Sequence, residues 1–126
     1  MTFGTEPVET TVPMYKDLRV KAAVAPPLSY VVPAQWQEVI EVIKSHGLEV
    51  STTTSRATID VESYRFHDVK WPGGPFEGRQ MPSFRAELTS ERRTFPAGSV
   101  VVPVHQKLAR VAINLLEPAA PDSLVR

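Results

Sequence analysis

Histidine and glutamate stand three residues apart at His46 and Glu49, in the His-x-x-Glu spacing of paired zinc ligands. A zinc site needs both side chains on one ion, a third ligand and an open position for water. Here Gly47 separates the pair where a helical pattern gives way to a strand pattern, so the two side chains need not converge. We expect His46 to lie at a helix C-terminus, where the helix dipole favours an imidazolium. We therefore expect no metal ligands, and a small zinc hydrolase using His46 and Glu49 stays as an alternative.

A second candidate for chemistry is the adjacent pair His67-Asp68, which could act as an acid-base pair only if both side chains shared a face. Neighbours in a strand point to opposite faces, so only a bulge would bring them together. The sequence also lacks a Gly-x-Ser-x-Gly elbow and a glycine-rich phosphate loop. We expect no catalytic residue and no enzymatic activity of this chain by itself.

Candidate binding residues are of two kinds. Adjacent arginines can form bidentate contacts with a carboxylate or phosphate, and aromatic side chains beside a turn can line a groove. The loop from Trp71 to Gly78, which includes Pro72-Gly73-Gly74-Pro75, is of the second kind. The predicted binding residues are Trp71, Phe76, Arg92 and Arg93.

The composition excludes several classes of protein. Fourteen basic and 14 acidic side chains in 126 residues give a net charge of +0, without the basic surplus of a nucleic-acid or anionic-membrane binder. The chain has 0 cysteines, which excludes disulfides and thiolate metal sites. No apolar run approaches the ~20 residues of a membrane span. A hydrophobic content of 42% is ordinary for one folded domain, and the compartment is unknown.

Two helices must position these residues, and both show a single apolar face. The faces are formed by Trp36, Val39, Ile40 and Ile43, and by Leu108, Val111, Ala112 and Leu115. Pro33 can begin the first helix, and Gly47 ends it as a left-handed residue. Pro118 and Pro121 stop the second helix.

Strands are predicted from β-branched and alternating apolar residues. In the segment from Thr58 to Trp71 the alternation changes parity near Ser63 and again near His67-Asp68, which predicts two bulges or a strong bend. The strand from Phe84 to about Thr94 is expected to form a half-buried hairpin with it. The other predicted strands are Val12–Tyr15, Val20–Val24, Leu28–Val32, Leu48–Thr53 and Ser99–Val102.

This order of elements predicts an α+β fold: a mixed, largely antiparallel, bent sheet of about five to six strands with two helices packed on one face. We expect residues 1–126 to form a single accessory-type domain, in which residues 1–11 are a loose lead-in.

Several runs resemble the C-terminal, non-catalytic region of bacterial M14-family zinc carboxypeptidase-like proteins. The distinctive run is Pro96-Ala97-Gly98-Ser99, Val102-Pro103 and Gln106, followed by Leu115-Leu116-Glu117-Pro118 with Asp122-Ser123. Upstream, Ser29-Tyr30-Val31-Val32-Pro33 with Trp36 and His46-Gly47 is similar to another stretch of the same region. The likeness covers roughly residues 26 to 124, and the family's catalytic residues cannot be placed on this sequence.

The resemblance implies a domain appended to a zinc peptidase. It would pack against the catalytic domain of the same parent chain or help to position a peptide or cell-wall fragment, with zinc only in that catalytic domain and no cofactor of its own. The edge strands around Thr58 to Thr94 could alternatively accept an extended peptide by strand addition. A stand-alone peptide- or glycan-binding module that uses the loop from Trp71 to Gly78 is a further alternative. The resemblance would place the protein outside the cytoplasm, although residues 1–11 show no signal-peptide pattern.

Overall fold

The computed structural model describes residues 4–17, 19–20 and 23–125. It contains five strands and two helices within these residues. In chain order they are β1 (Ser29–Val32), α1 (Gln37–Ser45), β2 (Ser51–Thr52), β3 (Ala57–Lys70), β4 (Ser83–Phe95), β5 (Val100–Pro103) and α2 (Ala109–Leu116). No described helix combines the length and apolar character that crossing a membrane requires.

The first sheet has three strands in the order β1-β5-β2. Both β1 and β2 pair with β5 in antiparallel fashion, with Val32 opposite Val100 and Thr52 opposite Val100 as well. The strands β1 and β2 are therefore parallel to each other and separated by β5. This is a split β-α-β unit, in which the last strand occupies the position between the first two.

The core lies on the face of this sheet that carries Val100 and Val102, which are 1% and 0% exposed. The β-branched run at Val100–Pro103 suits a central strand, because its side chains pack well on a pleated surface. Both helices contribute apolar residues to the same core. Its buried members are Val32, Ile40, Ile43, Leu48, Val100, Val102, Ala112 and Leu115.

Helix α1 ends as the sequence predicts. Gly47 has a φ of +75°, the Gly47 N–H donates to the Lys44 carbonyl, and the Leu48 N–H donates to the Ile43 carbonyl. This pair of hydrogen bonds is a Schellman motif, for which glycine is the preferred residue. It directs the chain back, so that buried Leu48 returns to the core ahead of β2.

The beginnings of both helices differ from the prediction. Helix α1 begins at Gln37 instead of Pro33, because residues 33–36 form a turn in which the Trp36 N–H donates to the Pro33 carbonyl. Trp36 therefore lies before the first helical turn and is exposed, not part of the apolar face. Leu108 holds the equivalent position before α2 and is also exposed.

The second sheet is the hairpin formed by β3 and β4. Its register is continuous from Ala57 opposite Phe95 to His67 opposite Arg85 and then shifts before Lys70. The bulge expected near His67-Asp68 is therefore present, and Asp68 has a φ of 54° there. The prediction of a bulge near Ser63 is wrong, because the pairing continues without a shift through Ser63. Both faces of the hairpin are largely exposed, so the strand did not have to keep its apolar residues on one face.

The predicted fold class holds at the level of α+β with antiparallel pairing, but the strands form two sheets and not one sheet of five to six strands. The strand predicted at Val12–Tyr15 is absent. In the strand predicted at Val20–Val24, residues 21 and 22 lie outside the described part of the chain, and the described residues 20, 23 and 24 are not in a strand. Prolines at 13, 26 and 27 remove backbone donors there, which disfavours pairing.

Candidate functional site

A buried carboxylate joins three parts of the fold. Glu117, directly after α2, is 4% exposed. Its Oε1 accepts a 2.6 Å hydrogen bond from the Tyr30 hydroxyl on β1, and its Oε2 accepts a 2.7 Å hydrogen bond from the Tyr64 hydroxyl on β3. Hydrogen bonds to a carboxylate are roughly twice as strong as neutral ones. This cluster, Tyr30, Tyr64 and Glu117, connects the helix end, the three-stranded sheet and the hairpin.

The environment keeps both phenols protonated to high pH. Burial, with the hydrogen bond to Glu117 as the next cause, raises the pKa of Tyr64 to about 12. Burial also raises the pKa of Tyr30 well above its ordinary value, with the hydrogen bond to Glu117 as the next cause. Each hydroxyl is therefore a fixed donor to the carboxylate at physiological pH.

A cleft of about 930 Å³ opens beside this cluster. It is bordered by residues 24–33 on one side and residues 59–64 on the other, with Leu116 and Glu117 also in its wall. Successive residues of a strand point to opposite faces, so a wall made of consecutive residues is the edge of a strand and not one face of it. Residues of the paired strands also line it, among them Leu88 and Ser90 of β4 and Val101 of β5, so the cleft extends from the outer edges of β1 and β3 onto the adjoining sheet faces.

Neither of these two edges is paired within the described residues, since β1 is the end strand of its sheet and β3 has only β4 as a partner. The walls of the cleft are mainly apolar, with Ile59, Val61 and Leu116 among the lining residues. Its charged lining groups are the carboxylates of Asp60, Glu62 and Glu117 and the guanidinium of Arg93. An apolar cleft with a few convergent polar groups is the usual form of a ligand site.

Several residues that carry the family resemblance hold segments of the backbone in place in this structure. Gly98 turns the chain with a φ of +85°, and the buried Ser99 hydroxyl donates to the Pro96 carbonyl at 2.8 Å and accepts from the Ala34 N–H at 3.3 Å. The Gln106 amide accepts from the Glu49 N–H at 2.9 Å and donates to the Glu49 carbonyl at 3.2 Å. The side chain of Gln106 therefore pairs with the chain before β2 as a neighbouring strand would.

His46 and Glu49, the two residues of the zinc alternative, make separate contacts. The Nδ1 atom of His46 lies 2.8 Å from the Val42 carbonyl at the end of α1, and the backbone of Glu49 is held by Gln106. Among the described residues, no three His, Cys, Asp or Glu side chains are placed to hold a metal ion. Within that part of the chain, His46 and Glu49 therefore have no third side chain of these types beside them.

His67 and Asp68 do flank the bulge, but each is directed to a different residue of β4. The His67 Nε2 atom lies 3.6 Å from Oε2 of Glu87, and Oδ2 of Asp68 lies 3.6 Å from the Arg85 Nε. All four side chains are largely exposed. The structure thus shows one surface ion pair, between Asp68 and Arg85, and a separate contact between His67 and Glu87 at this position.

The four predicted binding residues lie at two ends of the hairpin. Trp71 and Phe76 are exposed at its distal end, where the Phe76 and Arg79 backbones pair. Arg92 and Arg93 lie near its base, with the Arg92 Nε 3.9 Å from Asp60. Arg93 lies 3.6 Å from Glu91 and 5.7 Å over the Phe95 ring, and it lines the cleft. Binding at any of the four remains a prediction.

The sequence did not single out the cluster of Tyr30, Tyr64 and Glu117. Two signals were present: Glu117 is a charged residue between the apolar end of α2 and Pro118, and both Glu117 and Tyr30 stand in runs that carry the family resemblance. The contact of the two tyrosines with Glu117 carries no local signal, because Tyr30 and Tyr64 lie 87 and 53 residues away from it.

The sequence is similar to two fungal proteins named Carboxypeptidase 2, one from Trichophyton tonsurans and one from Trichophyton equinum. Each is 26% identical to this chain over 97 residues, which is 77% of this chain and 18% of the relative. The chain thus matches less than a fifth of the length of these relatives. No protein-family model matches the sequence, and no solved structure matches it significantly. The similarity supports a relation to carboxypeptidases over part of their length.

Proposed function

We propose that this chain is a non-catalytic accessory domain of an M14-like zinc carboxypeptidase and packs against the catalytic domain through the distal half of its hairpin. The distal hairpin is defined as residues 65–88. The relation to carboxypeptidases over 18% of the relatives' length supports this proposal. Zinc and the catalytic residues would then belong to the catalytic domain, as the family resemblance implies.

The exposure of the distal hairpin is the observation that carries the proposal. Strand β3 has 14 residues and β4 has 13, which corresponds to a hairpin about 45 Å long at ~3.3 Å per residue. No β3 residue after Tyr64 is buried or half-buried. The apolar residues exposed there are Phe66, Val69, Trp71, Phe76, Met81 and Leu88.

Such a hairpin lacks a second layer of structure to cover one of its faces. A two-stranded hairpin is marginally stable in water unless one of its faces packs on another element, and a sheet face normally buries its apolar side chains. Contiguous exposed apolar residues mark surfaces that contact another protein. A catalytic domain in the same parent chain would supply the missing layer.

The test uses the protein expressed from the whole reading frame that encodes this chain, with the double substitution Trp71→Ser and Phe76→Ser. Docking predicts that the amides of residues 65–88 are protected from hydrogen exchange in the unsubstituted protein and lose this protection in the variant. Val8→Ser is the matched control, because Val8 is also exposed but lies far from the hairpin in sequence. A reading frame that encodes no carboxypeptidase domain would contradict the proposal.

A second candidate function is a peptide- or glycan-binding module. The cleft between the edges of β1 and β3 favours its peptide-binding form, because an unpaired strand edge offers backbone donors and acceptors to an extended chain. This candidate is compatible with the accessory role, since Leu88 is the one residue that the cleft lining shares with the distal hairpin.

A further inference from the structure

We infer that the cleft between β1 and β3 binds an extended peptide that carries a lysine or arginine, with its main chain paired to a strand edge and its cation directed at Glu117. This inference specifies the site and the ligand of the second candidate function. It does not depend on docking of the distal hairpin.

Shape and backbone chemistry indicate an extended peptide. Six consecutive residues of β3, from Ile59 to Tyr64, border the cleft, and this strand edge has no partner among the described residues. The opposite border includes all of β1, which is likewise an end strand. A chain that adds to such an edge gains one main-chain hydrogen bond per residue on average, which is how strand addition provides affinity.

Charge selects the side chain of that peptide. Three carboxylates line the cleft, those of Asp60, Glu62 and Glu117, against one guanidinium, that of Arg93. The Arg93 guanidinium is engaged by Glu91 and the Phe95 ring. The Asp60 carboxylate lies 3.9 Å from the Arg92 Nε, so Glu62 and Glu117 supply the remaining negative charge. A cation in the cleft would therefore meet an excess of negative charge, which favours a basic side chain over a neutral or acidic one.

Glu117 has the capacity to accept that cation. An ionised carboxylate has about four acceptor positions, and the two tyrosine hydroxyls occupy two of them. The phenols hold the carboxylate in one orientation, so a bound cation would not have to order it. The surrounding apolar wall strengthens a charge pair by lowering the local dielectric.

The probe is a short acetylated and amidated peptide, Thr-Val-Lys-Val-Thr, compared by isothermal titration with the same peptide carrying norleucine in place of lysine. Norleucine keeps the aliphatic stem and removes the charge. We expect the lysine peptide to bind at least about tenfold more tightly. Equal binding of both would overturn the inference and leave a peptide-binding module in place. If neither peptide bound, both the inference and the peptide-binding function would be overturned.

Two protein variants locate the cation. Glu117→Gln is expected to lower the affinity for the lysine peptide about tenfold and to leave that for the norleucine peptide unchanged. Because Glu117 also supports the fold, the rim variant Glu62→Gln provides a second measurement, with an expected loss of about twofold to threefold. Glu41→Gln, an exposed substitution on α1, is the matched control. If neither cleft variant changed the affinity for the lysine peptide, the inference would be overturned.

Strand pairing has its own test in the peptide. In an edge strand only every second residue directs its N–H and C=O toward a given neighbour. Methylation of one alternate set of peptide nitrogens should therefore abolish binding, and methylation of the other set should be tolerated. If both sets were tolerated equally, the peptide would not be bound as an added strand.

Discussion

The hydroxyl of Tyr64 donates a 2.7 Å hydrogen bond to the Glu117 carboxylate. Tyr64 is also the last residue of β3 that is not exposed. The bond therefore lies at the boundary between the part of the hairpin that contacts the core and the part that extends from it. Because Tyr30 binds the other oxygen of the same carboxylate, a single side chain supports both sheets.

Replacing Glu117 by glutamine is expected to lower the free energy of unfolding by about 1.5–3 kcal/mol, the value of a hydrogen bond to a charged group. Glutamine has one carbonyl oxygen, so it can accept from one phenol but faces the other with a donor. Urea unfolding followed by circular dichroism measures the change. The control Glu41→Gln should stay within about 0.5 kcal/mol of the original protein. Equal stability of both variants would show that the cluster does not support the fold.

The raised pKa of Tyr64 predicts a loss of stability at alkaline pH. Folding raises the pKa from 10.0 to about 12, so the folded state holds the proton more tightly than the unfolded state. The resulting stabilisation is fully present below pH 10 and is lost as the pH rises toward about 12. In Tyr64→Phe this contribution is absent. The stability difference between the two proteins should therefore shrink as the pH rises through this window, and a constant difference would argue against the shift.

Substitution of Gly98 by alanine is expected to cost about 1–2 kcal/mol, because an alanine at a positive φ brings its Cβ close to a backbone oxygen. The φ of Gly98 is +85°, and the added Cβ would lie 3.5 Å from the Ala34 Cβ, so backbone strain and not a clash determines the cost. Gly74→Ala is the matched control, since nothing lies within 4 Å of its added Cβ. Thermal unfolding of both variants separates strain from a general effect of replacing a glycine.

Local chemistry explains which parts of the fold were predictable. Gly47 has the positive φ that the end of the helical pattern indicated, and Ile40 and Ile43 are buried as the helical spacing required. Each of these depends on residues within one turn of the chain. The helix starts were misplaced because Trp36 and Leu108 fit the apolar periodicity but fall just before the first helical residue.

The features that the sequence did not reveal are those set by distant residues. The alternation in β3 predicts a buried face, yet burial depends on whether another layer covers the hairpin, and beyond Tyr64 none does. The candidate site is likewise formed by residues that are distant in sequence. Its cleft lies between the edges of two strands from different sheets, and the carboxylate beside it belongs to a third element. No local spacing encodes such an arrangement.

Gln106 offers a test of side-chain pairing with the backbone. Gln106→Ala removes the acceptor for the Glu49 N–H and the donor to the Glu49 and Pro103 carbonyls, and we expect it to cost about 1–2 kcal/mol. Gln106→Glu keeps an acceptor but directs a carboxylate oxygen at these two carbonyls, so it should be at least as destabilising. Urea unfolding of the two variants measures this order, and a glutamate variant as stable as the original protein would contradict the assigned hydrogen bonds.

The contrast between the core and the distal hairpin predicts very different costs for removing apolar side chains in the 126-residue chain. Ile43 is 0% exposed, and Ile43→Ala should cost about 2–5 kcal/mol through lost burial and the cavity left behind. Phe76 is 66% exposed, and Phe76→Ser should change stability by less than about 0.5 kcal/mol. Urea unfolding of both variants provides the comparison. A large cost at Phe76 would mean that the end of the hairpin already packs within this chain, and it would remove the reason for a catalytic domain to cover it.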